Sequence, residues 1–160
     1  MPRITTAHAD HPEVARLVRD LVVEMAARYG DDPDDIKAPD PGARWLLLLD
    51  DDGTAIGCGA VQPLSWTVPG AGADLGEIKR VYVVPTARGR GLSRALMAAL
   101  LDLAAADGYR RLWLETGTEQ PEAIELYRSS GWTRIENYGQ YADDERSVCL
   151  ALDLDVPEDA

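Results

Sequence analysis

The stretch VVPTARGRGLSRAL, residues 83–96, joins the end of an apolar strand to a proline, two Arg-Gly pairs and a helix-forming run. Gly89 and Gly91 lack a Cβ, so backbone amides at this point can approach a ligand closely. The positive end of the helix dipole lies at the same point. Positive charge is added by Arg88, Arg90 and Arg94. The stretch therefore predicts a turn that binds an anion such as a pyrophosphate.

Strands and helices alternate on both sides of this turn. Residues 77–84, EIKRVYVV, are rich in β-branched and aromatic side chains and predict a strand. Leucines and alanines at helical spacing after Leu92 predict a long helix that ends near Gly108. Periodicity predicts further strands at 3–7, 111–116, 132–135 and 147–154, and a hairpin within 43–64 that is closed by an Asp-Gly turn. Two more helices are predicted, one opened by an Asp10 to Glu13 capping box and a short one between Pro121 and Gly131. Turn residues predict loops at 30–42 and 65–76.

The element order βαβββαβαββ predicts an α/β fold with a mixed, mostly antiparallel sheet flanked by helices. Residues 77–116 form a strand-helix-strand crossover, which predicts one parallel pair of strands within that sheet. A length of 160 residues fits one domain, 1–160.

Composition narrows the range of functions. The net charge of −12 argues against a nucleic-acid surface and would favour a cationic acceptor. No apolar run approaches the length of a membrane helix and the N-terminus has no signal-peptide pattern, so we expect a cytoplasmic protein without a membrane partner. Cys58 and Cys149 lie in apolar strands without metal-ligand spacing, which predicts buried free thiols and no metal.

Known phosphate-binding motifs can be compared with the turn directly. A P-loop would have Lys and Ser or Thr after the glycine, whereas Leu92 and Ser93 follow Gly91. A dinucleotide fingerprint would have glycine where Arg94 stands. The stretch instead resembles the coenzyme A loop of the GNAT superfamily of N-acetyltransferases, with Arg88, Gly91 and Ser93 at its pattern positions. Ser93 departs from the glycine or alanine of that pattern but is still small.

Two further segments strengthen the resemblance. The strand and turn match V-x-V-x-P-x-x-R-G-x-G from Val81 onward, and PEAIELYRSSGW, residues 121–132, is similar to the family's later A-x-x-L-Y-x-x-x-G-F/W helix and strand. The resemblance implies a GNAT-like fold and acetyl-CoA as cosubstrate, together with a set of residues that would contact it: Val81, Tyr82, Val83, Arg88, Gly89, Arg90, Gly91, Leu92, Ser93, Arg94 and Gln120. Gln120 stands where many relatives carry asparagine.

Acetyl transfer to an amine needs a base, a group that stabilises an oxyanion and a proton for the departing thiolate. The resemblance makes Glu77 the first candidate base and Glu115 the second, and either carboxylate could instead be structural. Tyr127 matches the family tyrosine near the sulfur and is the candidate general acid, unless it is a core tyrosine. A backbone amide near Val83 or Val84 is the candidate oxyanion donor.

The acceptor is less defined by the sequence. An aromatic wall could be formed by Trp45, Trp66, Tyr138 and Tyr141, although such residues also pack in cores. We expect a primary amine of a small molecule or peptide as acceptor, no nucleic acid, and a homodimer as a possible assembly. The alternative function is a non-catalytic sensor that binds acyl-CoA on the same fold.

Overall fold

The computed structural model describes residues 1–31 and 41–154, so most of the loop predicted at 30–42 lies outside the described residues. Ten main elements follow in the predicted order. They are β1 (Arg3–Ala7), α1 (Pro12–Tyr29), β2 (Arg44–Leu49), β3 (Ala55–Pro63), β4 (Leu75–Val83), α2 (Leu92–Ala106), β5 (Arg111–Gly117), α3 (Pro121–Ser129), β6 (Thr133–Ile135) and β7 (Ser147–Asp153). The prediction is confirmed in type and order, while β4 begins two residues earlier than Glu77 and β6 begins after Trp132.

The seven strands are ordered β1-β2-β3-β4-β5-β7-β6 by hydrogen bonding. β4 and β5 pair in parallel, with Glu77 opposite Trp113. The pairs β1 with β2, β2 with β3, β5 with β7 and β6 with β7 are antiparallel. A parallel pair joined through α2 is what the predicted crossover requires, so the mixed, mostly antiparallel sheet is confirmed.

Two compact units interleave along the chain, and the prediction of a single domain stays a prediction. The first unit comprises Met1–Val61 and Arg80–Leu100. Its core packs the apolar face of α1 on β2 and β3, with Val14, Leu17 and Trp45 all at most 2% exposed. The predicted Asp-Gly turn is confirmed, since Gly53 has a φ of 84° and its amide donates to the carbonyl of Asp50 at 2.9 Å.

The helix α1 begins with a different cap from the predicted one. His11 is the N-cap, and its Nδ1 accepts the amide of Glu13 at 3.1 Å. Pro12 then occupies the first helical position, where no amide donor is needed. The capping box predicted from Asp10 was therefore wrong by one residue, because the imidazole serves as the acceptor that the carboxylate was expected to provide.

The second unit comprises Gln62–Lys79 and the residues from Leu101 onward. Its small core surrounds Leu64, Tyr138 and Cys149, all at most 6% exposed. Leu75 and Trp113 pack against these residues from neighbouring strands. Cys58 in the first unit and Cys149 in the second are both buried free cysteines, which confirms that prediction.

Candidate active site

The turn between β4 and α2 has the conformation that its glycines predict. Gly89 and Gly91 have positive φ values of 82° and 75°, a region that side chains with a Cβ disfavour. A Cβ built at either position would meet no atom of the described residues within 4 Å, so the turn is open. The helical bonding starts where the amide of Ala95 donates to the carbonyl of Gly91 at 3.3 Å. The helix therefore presents the amides of its first turn at the open side of the chain.

Two arginines of this turn, Arg88 and Arg90, bond to carboxylates of the same unit. Arg88 Nη2 donates to both Glu24 oxygens, at 2.9 and 3.0 Å, and its Nε donates to the carbonyl of Val83 at 2.9 Å. Arg90 reaches Asp50 over 3.4 Å. Because Arg88 bonds to backbone and to α1, it holds the turn in place in addition to adding charge.

Backbone geometry in β4 adds a feature that the sequence did not predict. Arg80 has a φ of 60°, which is uncommon for a residue other than glycine and departs from the extended backbone of the strand. Its carbonyl accepts the thiol of Cys58 at 3.4 Å. The amide of Val84 donates to the carbonyl of Ile56 at 2.9 Å, so Val84 is not an available oxyanion donor and the prediction narrows to Val83.

In the second unit, Glu77 is a fully buried carboxylate with three donors. Its Oε1 accepts the Gln62 amide at 3.1 Å and the Thr67 hydroxyl at 2.6 Å. Its Oε2 accepts the Tyr138 hydroxyl at 2.7 Å. Charge-assisted bonds of this kind offset the cost of burying a carboxylate. Glu77 therefore fixes three separate segments of chain around one point.

Glu115 is the more accessible of the two candidate bases. It is half-buried at the end of β5, and one oxygen accepts the Ser147 hydroxyl at 2.7 Å. Burial raises the pKa of Glu115, while the Ser147 hydrogen bond and the charge of Lys79 lower it in part. A carboxyl with a raised pKa is a stronger base than an exposed glutamate, which suits acceptance of a proton near neutral pH.

A cluster of aromatic rings in the second unit includes Tyr138, which bonds to Glu77. The centroids of Trp113 and Tyr138 lie 5.0 Å apart, and Tyr141 meets Tyr138 edge-on at 5.7 Å. Tyr138 and Tyr141 are thus two residues of the predicted aromatic wall whose rings are in contact, and their role in binding an acceptor stays a prediction. Trp45 is not part of such a wall, because it faces α1 and is 2% exposed in the core of the first unit, whereas Trp66 is 46% exposed.

Tyr127 is buried in the second unit at 7% exposure, with its ring 5.9 Å from that of Trp132. Burial raises the pKa of Tyr127 to about 12, so the phenol stays protonated at neutral pH. Its carbonyl accepts the amides of Ser130 and Trp132 and closes the end of α3. Gln120 stands directly before α3, where its carbonyl accepts the amide of Ala123 at 3.1 Å.

Sequence reasoning missed most of the residues that position the acids. Gln62, Thr67 and Ser147 lie far from Glu77 or Glu115 along the chain, and no local spacing links them. The sequence of β4 gives a hint, because a glutamate buried in a strand of the sheet requires hydrogen-bond donors. The donors themselves could not be identified without the pairing of the strands.

Two further features of the described chain bear on function. Within residues 1–31 and 41–154, no cluster of three His, Cys, Asp or Glu side chains could hold a metal ion. None of the helices described is both long and apolar enough to cross a membrane.

The chain is similar in sequence and in fold to known proteins. The sequence profile of the acetyltransferase (GNAT) family matches residues 14–132. An IAA acetyltransferase of Azospirillum brasilense is 37% identical over 114 residues, which cover 71% of this chain and 70% of that protein. A Klebsiella pneumoniae structure, provisionally described as an acyl-CoA N-acyltransferase, superposes with a TM-score of 0.80 at 30% identity, covering 96% of this chain and 98% of that one.

A third neighbour shows the same fold with its cofactor. A provisionally assigned acetyltransferase from Salmonella typhimurium, solved with acetyl-CoA, has a TM-score of 0.67 at 19% identity and covers 97% of this chain and 96% of that one. At that identity the likeness concerns the fold alone, whereas the profile match extends over most of this chain. The chain therefore belongs to the acetyltransferase (GNAT) family and is an enzyme of the N-acetyltransferase class.

Proposed function

We propose that this enzyme transfers the acetyl group of acetyl-CoA to the primary amine of a small molecule. The observation that carries the proposal is Glu115, a half-buried carboxyl whose pKa is raised by burial. An alkylamine has a pKa of about 10, so most of it is protonated near pH 7 and must lose a proton before it can attack. Glu115 is the proposed acceptor of that proton, directly or through one water.

Binding of acetyl-CoA is proposed at the turn after β4. The open left-handed glycines and the first turn of α2 would receive the pyrophosphate on backbone amides, as anions bind at helix N-termini. The irregular backbone at Arg80 would leave backbone amide and carbonyl groups of Val81 to Val83 available for hydrogen bonds with the extended pantetheine arm. Arg88 would act mainly by holding the turn through Glu24.

When bound, acetyl-CoA supplies the activated acetyl group, which the acceptor nitrogen attacks to give a tetrahedral intermediate. Glu115 accepts one proton from the acceptor ammonium before attack. The Val83 amide is the candidate donor to the developing oxyanion. Tyr127 donates its proton to the sulfur as the C–S bond breaks and regains one from solvent. One of the two protons left on nitrogen passes to solvent, and the other stays on the amide product. Glu77 keeps Tyr138 and Thr67 in place throughout.

The proposed function is tested by incubating the enzyme with acetyl-CoA and a panel of primary amines while free thiol is measured. We expect thiol release that depends on the amine and an acetylated product detected by mass spectrometry. A raised melting temperature with acetyl-CoA but no transfer to any amine or peptide would support the acyl-CoA sensor instead.

Replacement of Gly91 tests the cofactor turn. Gly91→Val would place a β-branched residue at a φ of 75°, so the turn must change conformation. We expect the affinity for acetyl-CoA to fall by about 100-fold or more, the equivalent of losing two charge-assisted hydrogen bonds. Isothermal titration calorimetry measures it, with Gly53→Val in the β2–β3 turn as the matched control for strain. Equal affinity in wild type and Gly91→Val would place the pyrophosphate elsewhere.

A further inference from the structure

Lys79 and Tyr141 form a pair of donors in the second unit that the proposed chemistry does not use. Lys79 Nζ donates to the Tyr141 hydroxyl at 3.0 Å and lies 5.6 Å from the centroid of the same ring. Both side chains are half-buried. Among the residues that the structure describes, Lys79 makes no ion pair with a carboxylate, and the Tyr141 hydroxyl donates to no acceptor.

This arrangement leaves an unused set of donors that suits an anion. The ammonium has three N–H groups, and Tyr141 takes up one of them. Since the Tyr141 oxygen accepts from Lys79, its own O–H proton points elsewhere. Two N–H groups and one O–H group can therefore converge on one external acceptor, and a carboxylate has the lone pairs to accept all three.

The pair is held rigidly. Tyr141 ends a short turn, Gly139–Tyr141, and its amide donates to the carbonyl of Tyr138 at 2.9 Å. Tyr138 is in turn fixed by its hydrogen bond to Glu77. A Cβ on Gly139 would lie 2.9 Å from Thr67 Cγ2, so this turn packs directly on the segment that also bonds to Glu77. A donor set fixed in this way loses little entropy when it binds a ligand.

We propose that Lys79 and Tyr141 bind the carboxylate of the acceptor, so that the acceptors are small amines that also carry a carboxylate, of which free amino acids are the simplest. The inference rests on the proposed function because it specifies the acceptor of the same reaction. Lys79 and Tyr141 are then specificity-determining residues; the only role predicted from the sequence for either was that of Tyr141 in an aromatic wall.

The neighbouring charges favour an acceptor that carries both a positive and a negative charge. The charge of Lys79 is close enough to influence the pKa of Glu115, so a cationic centre and a carboxylate base are neighbours. An amino acid places its ammonium and its carboxylate one carbon apart and would bring each beside the opposite charge. A phosphate monoester has about two negative charges, which Glu77 and Glu115 would repel more strongly than the single charge of a carboxylate.

The test compares free amino acids with their carboxamides as acceptors, because the amide retains the amine and removes the negative charge. We expect wild-type kcat/KM to favour the acids by about 10- to 100-fold, the range for hydrogen bonds to a charged group. Lys79→Met should remove this preference through KM, with both substrates compared at a pH above the acid limb because the charge of Lys79 also lowers the pKa of Glu115. Lys79→Arg should restore part of the preference, and Tyr141→Phe should lower it by about 10-fold. Arg134→Gln, which removes an exposed charge from β6, is the control.

A second measurement separates this inference from the proposed function. N-acetylated amino acids and N-acetylated carboxamides are titrated against wild type and Lys79→Met, with the melting temperature as readout. Stronger stabilisation by the acids in wild type alone supports the subsite, even if no turnover is found. Equal effects of acids and carboxamides on both binding and kcat/KM would overturn it, and transfer to carboxamides in that case would leave the proposed function standing.

Discussion

Glu115→Gln is expected to lower turnover by about 10²- to 10⁴-fold, the range found when a general base is removed. Glutamine retains the size of the side chain and can still accept from Ser147, so the fold should be maintained. Wild-type activity should fall as the pH is lowered, and the midpoint of that fall should lie above the pKa of an ordinary glutamate. The reason is that burial raises the pKa of Glu115, and the base must be ionised to act. Initial rates across pH for both proteins measure these effects.

Two variants serve as controls for Glu115. Ser147→Ala removes a hydrogen bond that lowers the pKa of Glu115, so its acid limb should move to higher pH while the maximal rate is retained. Glu77→Gln disturbs a buried network of three donors and should mainly lower the melting temperature. The opposite pattern, with turnover lost in Glu77→Gln and kept in Glu115→Gln, would make Glu77 the base.

Local sequence was sufficient to predict the elements and the backbone conformation of the glycine turn after β4. The glycines at 89 and 91 require left-handed conformations that few other residues adopt, and both have them. The run of leucines in β2 predicts a buried strand, and Leu46, Leu47 and Leu48 are all at most 5% exposed. Such signals depend on single residues or on short periodicity, which is why they could be interpreted without a structure.

The hydrogen-bond partners of Glu77 and Glu115 could not be predicted, because they come from distant segments of the chain. Glu77 bonds to Tyr138, 61 positions away, and Glu115 bonds to Ser147, 32 positions away. These partners depend on the register of β5 against β7 and on the path of the segment between β6 and β7, and neither leaves a pattern in the sequence. His11 shows the same limit over a shorter range, because Asp10 was the expected cap and histidine is not among the residues that are preferred at that position. The cytoplasmic location and the homodimer stay predictions.

The role of Tyr127 is tested by Tyr127→Phe, which removes only the hydroxyl. If the phenol donates to the departing sulfur, turnover should fall by about 10²-fold, the lower end of the range for a general acid, because a pKa of about 12 makes it a weak acid. Packing on Trp132 would be retained, so the affinity for acetyl-CoA and the melting temperature should change little. Steady-state rates, calorimetry and thermal melting of this one variant measure its turnover, its affinity for acetyl-CoA and its melting temperature.

A tyrosine that serves only the core gives the opposite combination. In that case the hydroxyl has no part in the chemistry, so Tyr127→Phe would leave turnover nearly unchanged and its effect would be confined to folding stability. Trp132→Phe is the matched variant, since it perturbs the ring that packs on Tyr127 while retaining the hydroxyl. A stable Tyr127→Phe enzyme with slow turnover, next to a less stable Trp132→Phe enzyme with ordinary turnover, would assign the hydroxyl to catalysis. Full turnover with reduced stability in Tyr127→Phe would remove it from the mechanism and leave solvent to protonate the thiolate.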